Sequence, residues 1–148
     1  MLQDNMKASG RLAIVVKDAE GNVKDTREVD NLVVTAGLDF IASRMGGTTD
    51  GVMSHMAIGT GTTAAAAGNT DVETIAGSRV ALTSATVTDN TIVYVGDFTV
   101  ASNTAVTEAG VFNASTAGTM LCRTVFSAVN LTSADSLTIT WTVTISAS

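Results

Sequence analysis

Histidine and cysteine each occur once in this chain, as His55 and Cys122. A Ser-His-Asp or Cys-His system would have to use His55. That residue stands beside Ser54 in a strand-like context with no nucleophile motif around it, so it reads as an ordinary strand-start residue. Zinc sites draw on several Cys and His ligands, and one of each does not make a set. A lone cysteine forms no internal disulfide. Cys122 falls in the apolar run Met120-Leu121-Cys122 and reads as a small core residue.

Aromatic residues are also scarce, at 4% of the chain. The core must come from Val, Ile, Leu, Ala and the methyl groups of Thr. Such a core is thin per residue, which favours help from subunit contacts. Sugar-binding faces usually need exposed rings, and only Trp141, Tyr94 and four Phe are available.

Basic clusters are missing. The eight Lys and Arg residues are scattered, the net charge is −6 and the pI is about 4.4. A nucleic-acid binder needs a basic patch to displace phosphate counterions, so direct binding to DNA or RNA is not expected. An acidic surface suits solubility or docking onto a basic partner. No run of about 18 apolar residues offers a membrane span. The first residues, Met1-Leu2-Gln3-Asp4-Asn5, carry no secretory signal, so synthesis in a cytoplasm is expected. The triplets Asn113-Ala-Ser115 and Asn130-Leu-Thr132 then read as chance matches to a glycosylation site.

What is present is β-strand pattern. The length of 148 residues suits one domain, and 45% apolar residues is ordinary for a globular one. Residues 1–9 read as a flexible N-terminal arm. The segment 10–17 is β-rich, Asp18-Ala-Glu-Gly21-Asn22 is a turn, and Val23 to Val29 alternates, which together make a hairpin. A helix is expected at 36–45, capped by Thr35, with Leu38, Ile41, Ala42 and Met45 on the face that meets a sheet. Gly46-Gly47 stops it, and Arg44 suits its last turn.

His55 to Gly59 reads as a short strand, and 60–78 as a long small-residue connection of uncertain structure. Arg79 to Thr88 alternates with a slip near Ala85, and Asp89-Asn90 turns the chain into Thr91 to Val100. Strands follow at Val106 to Asn113, Thr119 to Val129 and Leu137 to Ile145. The last alternates cleanly, with Leu137, Ile139, Trp141, Val143 and Ile145 against Thr138, Thr140, Thr142 and Thr144. Trp141 is therefore expected to be buried. The fold class that follows is mainly β: an antiparallel β-sandwich or jelly-roll-like domain over 10–148, with one short helix.

Three segments invite a chemical reading and favour a plain one. Asp18-Ala-Glu20-Gly21-Asn22 offers oxygen ligands without the spacing of a calcium loop. Gly59-Thr-Gly61 lacks the Gly-Lys-Ser/Thr ending of a phosphate loop. Glu108 is the only acid in the apolar run Val106 to Phe112. A buried carboxylate is costly unless paired, so an arginine partner is expected, with Arg79 and Arg123 as candidates. No catalytic residue, metal ligand or cofactor is assigned, and the chain is read as a non-enzyme.

Longer stretches carry a resemblance. Asn31-Leu-Val-Val-Thr-Ala-Gly37, a short helix, and Met56-Ala-Ile-Gly-Thr-Gly-Thr-Thr63 resemble a pattern in bacteriophage structural proteins. Thr107-Glu-Ala-Gly-Val-Phe-Asn113, Met120-Leu-Cys-Arg-Thr-Val-Phe126 and the closing run from Asp135 to Ile145 resemble it too. The likeness is to small capsid cement or decoration proteins and to the amino-terminal attachment domains of tail fibres.

The first implies a protein in the virion, assembled in the bacterial host cytoplasm, that bridges capsomers. Its partners would be the major capsid protein and copies of itself, as a dimer or trimer. The second implies a tail or baseplate attachment module. A chain of one domain with no shaft sequence favours the cement reading. A carbohydrate-binding β-sandwich is the third possibility.

Overall fold

The computed structural model describes residues 5–47 and 50–147. Its strands are β1 (Met6–Lys17), β2 (Val23–Val33), β3 (His55–Gly59), β4 (Val80–Ala81), β5 (Ser84–Thr88), β6 (Thr91–Phe98), β7 (Thr104–Phe112), β8 (Met120–Leu131) and β9 (Ser136–Ala147). One helix, α1 (Thr35–Met45), follows β2. All the pairings between these strands are antiparallel, in the order β4-β3-β7-β8-β2-β1-β9-β6-β5. Short connections between consecutive strands favour this geometry.

The nine-strand sheet curls into two layers, as expected for a β-sandwich. One layer is β2-β1-β9-β6-β5 and the other β4-β3-β7-β8-β2. Each corner is a segment that changes layers. In β2, Asn31 still pairs with Gly10 of β1, whereas Leu32 and Val33 pair with Arg123 and Cys122 of β8. At the other corner the expected single strand Arg79 to Thr88 is broken. Val80 and Ala81 pair with β3, and Ser84 to Thr88 pair with β6. The break falls at Leu82-Thr83, where each N–H reaches a different partner, Ser54 O at 2.9 Å and Val95 O at 2.8 Å. Alternation along the sequence looks the same whether a strand keeps its neighbours or changes them.

The core lies between the layers. Leu137, Ile139, Trp141 and Val143 of β9 are buried, while their Thr neighbours are half-buried on the outer face. Trp141 is shut off from solvent, with Leu12 of β1 and Tyr94 of β6 as its cross-strand neighbours. Burial pushes the Tyr94 hydroxyl up to about 12. The β1–β2 hairpin turns where expected, and Asp18 Oδ1 accepts the N–H groups of Glu20 and Asn22, both at 2.9 Å.

Two expectations need correction. The flexible arm at 1–9 does not hold for its second half: Met6 to Ser9 belong to β1 and pair with Ala147 to Thr144. β9 runs on to Ala147 and offers those residues ladder partners. Residues 1–4 of the expected arm lie outside the described residues.

The helix stands where it was expected, but its buried face differs. Val34 is the N-cap, and no side chain caps the helix, so Thr35 does not play that role. Gly37 is the residue driven into the sheet, against the backbone of Leu121, and a Cβ there would collide with Leu121 O. This close approach sets the helix rotation. Phe40 and Ile41 are half-buried against the core, whereas Leu38 and Met45 stay exposed, Met45 at 76%. Periodicity identified an apolar face without showing that glycine would make the contact.

Candidate functional site

Glu108 of β7 is fully closed to solvent and carries an ion pair. Its partner is Arg123 of β8: Nη2 and Nε donate to Glu108 Oε2 at 2.8 and 3.1 Å. Arg79, the other candidate, lies over the Phe112 ring at 3.5 Å and donates to the carbonyls of Ala114 and Ala117. The remaining acceptor positions of Glu108 face the connection after β3. Oε1 accepts from Gly61 N–H at 2.9 Å and Thr74 N–H at 2.7 Å, and Oε2 from Glu73 N–H at 2.8 Å.

Arg123 extends the clasp, donating to Asn69 Oδ1 at 2.9 Å and Thr63 O at 3.1 Å. Residues 60–78 therefore have a definite path, folded back over β7 and β8 around one ion pair. Gly61 leaves room for the carboxylate, since a Cβ there would come within 2.6 Å of Glu108 Oε1. The Gly59-Thr-Gly61 segment is a turn leaving a strand, shaped by this contact.

Burial is the largest single influence on the Glu108 carboxyl and pushes its pKa up. The N–H groups of Thr74 and Glu73, the Arg123 guanidinium and the Gly61 N–H together outweigh it, so the group lies below its ordinary value. Both oxygens are saturated with donors, which makes the pair a strut for the loop.

Other residues weighed in the sequence are placed as follows. His55 opens β3, with Nδ1 2.8 Å from Ser54 Oγ. Cys122 is buried, and burial pushes its thiol well above the ordinary range. Among the described residues no group of three or more His, Cys, Asp and Glu is placed to hold a metal ion. No described helix is long and apolar enough to cross a membrane.

One surface feature was not foreseen. An apolar groove of about 490 Å³ opens between α1 and the β9-β6-β5 end of one layer. Phe40, Ile41 and Met45 line one wall, and Val87, Ile92 and Ile145 the other. A smaller recess of about 180 Å³ shares Ile41, Met45 and Ile145 with it and adds Met6 and Leu38. Met6, Leu38, Met45, Val52 and Val87 are all exposed there, so apolar surface is contiguous around one end of the sandwich. Contiguous exposed apolar surface marks interaction sites, whereas single exposed apolar residues mean little. Arg44 at the groove donates to Asp50 O at 2.7 Å. The only sequence signal was the helix face Leu38, Ile41, Ala42, Met45, which was read as buried.

The outer face of β1, β2 and β9 offers a second depression, of about 970 Å³ and of mixed polar and apolar lining. Thr140, Thr142 and Thr144 line it with Arg11, which pairs with Glu28 at 2.8 Å and Asp30 at 3.5 Å. Exposed pairs of this kind add little stability.

The chain is thus a mainly-β, antiparallel β-sandwich with a saturated buried ion pair and an open apolar groove. No protein-family model matches the chain, and no curated protein or solved structure matches it.

Proposed function

We propose that this protein is a structural component of a bacteriophage particle, a cement protein that stabilises the head shell by bridging capsomers. The apolar groove beside α1 carries the reading, because exposed Met45 and Val52 give a docking partner a place to bury apolar surface. The clasp between Glu108 and Arg123 supports it, since a stiff scaffold presents such a surface without loss of shape. The resemblance of Asn31 to Gly37, Thr107 to Asn113 and Asp135 to Ile145 to phage structural proteins points the same way. The acidic charge suits a basic docking face on the major capsid protein. The carbohydrate reading is weaker, because Trp141, Tyr94, Phe98 and Phe112 are all buried.

Gel densitometry and immunolabelling of purified particles test the proposal. Copies in proportion to the capsid protein, spread over the head, are expected. Label confined to the tail would replace it with the attachment-module reading, and absence from particles would reject both.

A further inference from the structure

We propose that β5 is a self-pairing edge, across which two copies of this chain join their sheets antiparallel about a two-fold axis. The inference goes beyond the virion reading and does not depend on it.

Among the described residues β5 ends the strand order and is paired on one side only, with β6. Its outer side presents unpaired backbone groups, for which another β-strand is the matching partner. Natural edges are usually guarded by charge, proline, bulges or shortness. The other edges here follow that rule. β4, at the far end of the order, has two residues. β2 meets β8 only at Leu32 and Val33, and its open stretch carries Lys24, Asp25, Arg27, Glu28 and Asp30. Arg27 reaches across that gap to Ser127 O and Ala128 O, both at 3.2 Å. β5 has none of these guards. Its five residues, Ser84-Ala85-Thr86-Val87-Thr88, carry no charge, and all are exposed.

The strand is also complementary to itself. Antiparallel pairing centred on Thr86 sets Ala85 opposite Val87 of the second copy and Ser84 opposite Thr88. Ala85 and Val87 lie on the groove face, beside Tyr94 and Ile92. A small residue thus meets a large one on the apolar side, and hydroxyls meet on the other. Asp89 falls opposite Thr83 of the second copy, so no like charges are opposed although each chain carries −6. Val87, now 70% exposed, is covered, and the grooves of the two copies join. A two-fold contact of this kind is closed and stops at the dimer.

Sedimentation equilibrium of the purified chain over a concentration series, with two variants, tests this. The wild type is expected to dimerise. Val87→Lys is expected to raise the dimer dissociation constant about tenfold or more, with an unchanged melting temperature at a concentration low enough for both chains to be monomeric. Thr86→Cys should give a covalent dimer on mild oxidation, because residues facing each other across an antiparallel pair come within disulfide reach, about 4.5–5.5 Å between Cα atoms. Thr26→Cys on the charged β2 edge should not. A wild type that stays monomeric throughout, a dimer unaffected by Val87→Lys, or no preferential cross-linking at Thr86→Cys would each overturn the self-pairing. A dimer from a protein absent from phage particles would support it while rejecting the virion proposal.

Discussion

Glu108 and Arg123 lie on neighbouring strands with Oε2 and Nη2 2.8 Å apart, and neither side chain reaches solvent. Each also binds the chain between β3 and β4, Glu108 through three backbone N–H groups and Arg123 through Thr63 O and Asn69 Oδ1. The pair therefore joins sheet and loop in one network.

Glu108→Ala leaves a guanidinium buried without its counter-charge and three N–H groups without an acceptor. A loss of about 3–5 kcal/mol is expected in urea unfolding. A change no larger than that of an exposed substitution such as Thr26→Ala would contradict the network.

Acid should unfold the protein through the same group. The carboxyl sits below its ordinary value of 4.5 when folded, so its stabilisation is complete above about that pH. It is lost as pH falls through the lower folded value, where the native state must take up the proton. Asp97 and Asp135 are shifted in the same direction, Asp97 by the Thr138 and Thr83 hydroxyls and Asp135 by Lys24 and Thr132. Melting temperature followed from neutral pH to pH 3 should fall less steeply for Glu108→Gln than for the wild type. Parallel curves would remove Glu108 from the explanation.

Gly37→Ala places a methyl group where Leu121 O already lies. The helix must lift or turn, at a cost of about 1–3 kcal/mol. Melting measurements should show this loss, even though alanine is the better helix former in isolation. A stabilised variant would mean that α1 does not rest on β8 through this residue.

Met45→Lys and Val52→Lys alter exposed side chains of the groove. Their effect on stability should stay within about 0.5 kcal/mol. Under the proposed cement role, binding of these variants to phage heads lacking the wild-type protein should fall sharply, measured by co-sedimentation. Retained binding would move the docking surface elsewhere, with the larger depression around Arg11 and Thr142 next to be tested.

The sequence alone determined the β class, the hairpin turn at Asp18 to Asn22, the buried face of β9 and the need of Glu108 for an arginine. These are local matters: side chains alternate with a period of two, turn residues act within a few positions, and a carboxylate in an apolar run demands a partner wherever it comes from. The tertiary structure alone decided that the partner is Arg123 and not Arg79, and that the alternating segment 79–88 divides between two layers. It also decided that Gly37 turns α1 so that Leu38 and Met45 border a groove, and that Met6 to Ser9 extend β1. Each of these depends on which strand lies beside which, and that is set by packing between residues far apart in the chain, which no local period encodes.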